Sequence, residues 1–190
     1  MKFLDILLGR TKPVKSKLEK LFAISTAFLT LTVKLDLKPT GKAGIVFKPV
    51  TSSEFDQLEK ELRELLDIGS RATQTKVSIE RDSYGFQWVV LQDDDFEDLV
   101  ATLHVVSLTL QEHGFGDQLL AAVFKFEEDG KPVYWIYNYK RGSFYPEVPK
   151  PQRERERDNA SELRLSAAMA KELPIEPELE RWYPLWGIPL

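Results

Sequence analysis

The stretch LLAAVFKFEEDGKPVYWIYNY, residues 119–139, constrains the fold more than any other part of the chain. Asp129-Gly130 is a strong two-residue hairpin signal, because a type I′ turn needs positive φ at both central positions. The alternation on either side of it reads as two antiparallel strands. In the second strand Val133, Trp135, Tyr137 and Tyr139 share one side, with Tyr134 and Ile136 on the other. A strand that is apolar on both sides needs both sides covered. It is therefore central in its sheet, or its outer face lies under something else in the chain.

Upstream, Leu29, Leu31, Val33, Leu35 and Leu37 alternate with Thr30, Thr32, Lys34 and Asp36, which predicts a half-buried strand. Pro39-Thr40-Gly41 supplies a turn, and KAGIVFKPV reads as the returning partner. Thr51 with Glu54 forms a capping box before a stripe of Phe55, Leu58, Leu62, Leu65 and Leu66, and Gly69 ends that helix. Residues 76–81 and 86–91 are two further strands around Asp82-Ser83-Tyr84-Gly85. Asp94 caps a second helix, with Glu97 three positions on. Its buried stripe is Phe96, Leu99, Val100, Leu103, Val106 and Leu110, and Gly114 stops it. The expectation is an α+β fold: an antiparallel sheet built from three hairpins, two long helices on one face, and a C-terminal helix with an aromatic tail. Its parts are an amphipathic basic segment (1–24), the α+β body (25–149), and a charged linker, short helix and docking tail (150–190).

The third part begins with EVPKPQRERERD, proline-broken and densely charged, which reads as a linker. Asn159 with Glu162 caps a short helix over ASELRLSAAMAKEL, and Pro174 and Pro177 break it. The chain then closes on RWYPLWGIPL. Ordering ten residues costs roughly 10–20 kcal/mol of backbone entropy, somewhat less with two prolines. Burial of Trp182, Tyr183, Leu185, Trp186, Ile188 and Leu190 offers about 12–18 kcal/mol in return. Near balance means the tail docks only where a prepared groove receives it. Three grooves are open to it: its own sheet, a sister subunit reached by tail exchange in a homodimer, or a separate protein.

The other end is different in kind. Phe3, Leu4, Ile6, Leu7 and Leu8 cover one side of a helical wheel, with Lys2 and Asp5 opposite. Arg10, Lys12, Lys15, Lys17 and Lys20 follow. Residues 1–20 hold six basic and two acidic groups, a local +4 in a chain that totals −4. Such a segment suits either an interface with anionic lipid or a partner helix, or else packing on its own sheet. Partner and membrane contact is assigned to Phe3, Leu4, Leu7, Leu8, Arg10, Lys12 and Lys15.

A net charge of −4 argues against a nucleic-acid partner, which demands concentrated Lys and Arg. The chain has no cysteine, which fits a reducing cytoplasm and removes thiolate chemistry. No run approaches the ~20 apolar residues of a membrane span, and no signal peptide is expected. The expected location is cytoplasmic, with a peripheral position at the inner membrane face for the amphipathic segment. His104 and His113 are nine residues apart on one helix and point to opposite sides, so they share no metal. Asp93-Asp94-Asp95 lacks the EF-hand spacing and reads as helix capping. Phosphate-binding glycine loops and nucleophile elbows are missing. No catalytic residue, metal or cofactor is expected. The aromatic segment YNYKRGSFYP reads as core plus a charged hairpin end, with peptide or tail docking assigned to Tyr137, Tyr139, Phe144 and Tyr145 together with Trp182, Tyr183 and Trp186.

Several separate motifs together resemble a known family. They are FLDILLGRTKP, LDLKPTGKAGIVFKPV, RDSYGFQWVV, LQEHGFG, YKRGSFYP and ELPIEPELERWYPLWGIPL, which span almost the whole chain. That family is PspAB, the phage-shock-protein-A-associated protein B, in which a glycine often stands where this chain has Lys2. The resemblance implies association with PspA, a coiled-coil protein that binds stressed membranes, in the envelope-stress response. It brings no active site. The implied role is a non-enzymatic accessory protein that binds PspA or another membrane-stress protein. The alternative is a chaperone-like module that holds a peptide or helix and has no membrane role.

Overall fold

A computed structural model describes residues 17–150 and 155–190. Six antiparallel strands form one sheet in the order β2-β3-β1-β4-β5-β6. They are β1 (Lys38–Phe47), β2 (Lys76–Arg81), β3 (Gln87–Gln92), β4 (Leu119–Glu128), β5 (Lys131–Asn138) and β6 (Ser143–Glu147). Four α-helices accompany them: α1 (Ala23–Leu29), α2 (Ser53–Thr73), α3 (Phe96–Glu112) and α4 (Asn159–Met169). The class is α+β. Two expected hairpins form. In β2–β3 the Asp82 carboxylate accepts the Tyr84 and Phe86 N–H groups, which closes the turn. In β4–β5, Glu128 pairs with Lys131 around Asp129 (φ 52°) and Gly130 (φ 74°), both in the left-handed region the turn requires.

The third expected hairpin does not form. Residues 29–34 are helical instead: α1 runs to Leu29 and continues into a π-helical turn over Thr30–Lys34, where the Leu35 N–H reaches Thr30 O at 3.2 Å. Leu31 and Leu37 are buried, whereas Leu29 and Val33 are each 70% exposed. The alternation is a coincidence of composition. Read from further back, Leu21, Ile24, Phe28, Leu31 and Leu35 recur at helical spacing, and that face packs into the core. Core contact at this spacing outweighs the strand preference of Thr and Val. Pro39-Thr40-Gly41 likewise makes no turn. It lies inside β1 as a bulge, with a register shift between Pro39 and Lys42 against β4. Gly41 has φ +66°, and a Cβ there would meet the Asp93 carbonyl oxygen at 2.6 Å. The sixth strand is β6, which extends β4–β5 into a meander.

Helix boundaries depart from expectation by local chemistry. Ser52, not Thr51, caps α2 by accepting the Phe55 N–H, and the helix runs past Gly69 to Thr73, where Gln74 takes the left-handed conformation. Asp95, not Asp94, caps α3 by accepting the Glu97 N–H. Asp158, not Asn159, caps α4 by accepting from Ser161 N. The Phe55, Leu58, Leu62 and Leu66 stripe of α2 is buried, but Leu65 points outward.

Two apolar layers result, one on each side of the sheet. The inner layer joins α1, α2, α3 and α4 to Ile45, Val89, Phe124, Val133, Trp135, Tyr137 and Phe144. The outer layer joins Val46, Trp88, Val123, Tyr134, Ile136 and Tyr145 to Trp182, Leu185, Ile188 and Leu190. The partition of β5 expected from its alternation is the one observed. The aromatic tail is the cover of its outer side.

Candidate functional site

Residues 174–190 cross the outer face in three steps. Pro174–Glu176 first adds to the free edge of β6: Phe144 N donates to Pro174 O at 2.8 Å and Glu176 N to Phe144 O at 2.9 Å, a parallel bridge of Phe144 with Ile175. A 3₁₀ turn at Leu179–Arg181 then brings the chain back over the sheet. Trp182 buries its ring near-parallel to that of Tyr145, with centroids 6.1 Å apart and an interplanar angle of 18°, and its Nε1–H donates to Glu176 O at 2.9 Å. Beyond it, Leu185, Ile188 and Leu190 pack on the outer layer. Gly44 in β1 is flat here: a Cβ would stand 3.2 Å from Leu190 Cδ2 and 3.3 Å from Trp88 Cε3.

The polar groups that hold the tail address its backbone. Arg157 Nη1 donates to Trp182 O at 2.7 Å. Tyr145 Oη donates to Tyr183 O at 2.8 Å. Glu147 Oε2 accepts the Leu185 N–H at 2.9 Å. Lys125 Nζ donates to Leu190 O at 2.9 Å. Backbone recognition of this kind orients a segment while tolerating changes in its sequence. The Tyr183 ring is 56% exposed, so the tail's apolar burial falls short of six full side chains and these polar anchors make up part of the holding energy.

Residues 174–190 thus form a strap over the sheet, and three buried carboxylates, Glu176 within it and Glu147 and Glu162 beside it, are held in different ways. Glu162 is held by a fork from Arg157, with Nε and Nη2 at 2.7 and 2.8 Å, and also accepts Val148 N–H at 2.9 Å. Glu176 would be raised by burial, but hydrogen bonds from Arg141 Nε (3.0 Å) and Ser143 Oγ (2.8 Å) bring its carboxyl below the ordinary value. Glu147 is 1% exposed and, among the described residues, has no cation bonded to it. Burial raises its carboxyl to about 7, against the opposing pull of the Leu185 N–H and Arg157, while Glu162 adds to the rise. Burial also raises the phenols of Tyr137, Tyr139 and Tyr145.

The assigned docking residues divide between the two faces. Tyr145 and Trp182 meet on the outer face, and Tyr183 contributes its carbonyl there; Trp186 is half-buried. The rings of Tyr137, Tyr139 and Phe144 belong to the inner layer. They pack on one another, at centroid distances of 5.2 and 4.7 Å from Tyr137. Phe144 meets the tail through its backbone hydrogen bonds to Pro174 and Glu176. Phe3, Leu4, Leu7, Leu8, Arg10, Lys12 and Lys15 lie outside the described residues. Lys17 is bonded to the body at three points: its N–H donates to Tyr139 O at 2.9 Å, its carbonyl accepts the Tyr137 hydroxyl, and its Nζ donates to Arg141 O at 3.1 Å.

Sequence reasoning missed Glu147, Arg157, Glu162 and Lys125. One signal was available, since Glu147 falls two positions after Tyr145 and so shares its covered face, where a lone acid is out of place. Arg157 was hidden in the RERER run. The described parts of that run fold back on the strand, with Lys150 N donating to Glu156 O, Asp158 N donating to Val148 O, and a bridge between Pro149 and Arg157.

The histidines serve structure. The His104 ring packs tilted against that of Phe22 with centroids 4.7 Å apart, and His113 Nε2 lies 2.9 Å from Glu61. Asp93 and Asp95 are engaged in capping and turn hydrogen bonds. Among the described residues no three His, Asp or Glu converge as metal ligands, and no helix is long and apolar enough to cross a membrane. No curated protein and no solved structure matches the chain. The family model described as PspA associated protein B matches residues 1–190, so the chain belongs to the PspA-associated protein B family.

Proposed function

We propose that this protein is a non-enzymatic cytoplasmic accessory factor of the PspA-type envelope-stress response, binding PspA or membrane-associated partners through its two ends. Family membership supports the partner. The observation that carries the mode of action is the use of the polar groups around the strap: Arg157, Glu147, Tyr145 and Lys125 all hold backbone in place. Lys17 is bonded to the body at Tyr139 O and Arg141 O, and contact with lipid or a PspA helix runs through Phe3, Leu4, Leu7 and Leu8 with Arg10, Lys12 and Lys15 behind them. Flotation with anionic vesicles, with and without PspA, tests the reading. Co-flotation that is lost in Leu4→Asp/Leu7→Asp supports it, and failure to float under either condition ends it.

The strap supports a second reading, a peptide-holding module whose own tail occupies the groove. Four body groups address backbone atoms that any extended segment of similar apolar character would present. A chain lacking residues 174–190 then binds an added RWYPLWGIPL peptide more tightly than the intact chain does. Equal affinity removes this reading.

A further inference from the structure

We infer that docking of residues 182–190 on the outer sheet face is proton-linked through Glu147: protonation fastens the strap and ionisation loosens it. The inference goes beyond the partner reading and holds whatever the partner is.

The geometry singles out Glu147 from its two buried neighbours. Glu162 and Glu176 each have a guanidinium bonded directly to the carboxylate. Among the described residues Glu147 has one hydrogen bond, and its donor is the Leu185 N–H of the strap itself. Arg157 acts on it only from a distance, because Nε and Nη2 are committed to Glu162 and Nη1 to Trp182 O. The other described groups facing this carboxylate are Tyr134 on β5, Tyr145 on β6 and Glu162 on α4; none is a cation. A docked strap therefore seals an under-compensated anion away from water, and a lifted strap returns it to water.

The sign follows from linkage. The docked-state carboxyl is raised to about 7 from its ordinary 4.5. A raised acid adds docking stability that is fully present below the undocked value and is lost as pH rises through the docked one. Between pH 8 and pH 6 the docking equilibrium should shift by about tenfold toward the closed strap. Opening exposes Trp88, Val123, Ile136 and Tyr145 of the outer layer, so the proton sets how often that surface is available. His104 lies on α3 and His113 is its C-cap, so both stand across the sheet from the strap, beside Phe22 and Glu61.

Amide hydrogen exchange of the full chain, corrected for the intrinsic pH dependence of exchange, measures this directly. Protection of residues 182–190 should rise about tenfold from pH 8 to pH 6, bending upward near pH 7 and still climbing at pH 6, while protection of α3 and β4 stays level. Glu147→Gln keeps the shape and an acceptor for Leu185, and should stay closed across the range with no slope. Tyr145→Phe should lower protection at every pH and keep the slope. The pair His104→Gln/His113→Gln should keep it too. A flat wild-type profile overturns the proposal, as does a slope that survives in Glu147→Gln or vanishes with the histidines. Should Glu147→Gln fail to fold, the wild-type and histidine-free profiles decide the matter between them.

Discussion

The two faces of one sheet are covered in opposite ways. The inner face is packed by helices, side chain against side chain, as where the Phe96 ring of α3 lies 5.5 Å from that of Phe124 on β4. The outer face is covered by a short segment with little regular structure, tied down at its carbonyls and N–H groups by four side chains. Helix packing of the first kind is distributed over many contacts and should fail only when the whole domain unfolds. A strap of the second kind has separable anchors and few contacts with anything but the sheet. It can open locally at a free energy well below that of global unfolding. The inner face is what makes the fold, and the outer face is what the fold can offer to others.

Four changes probe this contrast, in decreasing order of expected effect. Phe124→Ala, a cavity on the inner face, should cost about 3–5 kcal/mol of global stability in denaturant titrations, with sheet and strap lost together. A strap that survived this unfolding would break the hierarchy. Next, Arg157→Ala leaves Glu162 buried without its guanidinium and releases Trp182 O. A loss of about 3 kcal/mol is expected, shared between the β6–α4 corner and the strap, and visible as faster amide exchange at both. Trp182→Ala sharpens the contrast further. Docking should weaken by about 2–3 kcal/mol, read from exchange of residues 185–190, while the unfolding midpoint of the inner core hardly moves. Equal losses by both measures would mean the strap belongs to the same cooperative unit as the helices. Smallest is Gly44→Ala, which sets a methyl against Leu190, Trp88 and the Val89 carbonyl. A global change within about 1 kcal/mol is expected, since strand preference for Ala over Gly offsets part of the crowding. Exchange at Leu190 should rise nonetheless.

Much of the body was legible in the chain. Asp129-Gly130 and Asp82–Gly85 announced two hairpins, and the stripes in residues 55–66 and 96–110 announced two helices. Residues 29–37 were misread because two periods overlap there: a Leu/Thr alternation in the foreground, and a helical series beginning at Leu21 that decides the outcome. The strap was legible as a need for cover on β5, since Tyr134 and Ile136 had to face something. Its anchors were not. Glu147, Arg157 and Lys125 look like ordinary surface charges until the fold closes around them.

By itself the sequence determined what depends on near neighbours: the turn types, the alternation that makes β5 apolar on both sides, and the amphipathic stripes of α2 and α3. These arise from steric and periodic rules that act within a few residues. Tertiary structure alone decided that residues 29–34 are helical, that the tail returns to its own sheet, and that Glu147 faces the Leu185 N–H without, among the described residues, a cation bonded to it. Those outcomes turn on which distant surfaces become dry together. The free energy of a charge or an aromatic ring is set by that environment rather than by the residues beside it in the chain.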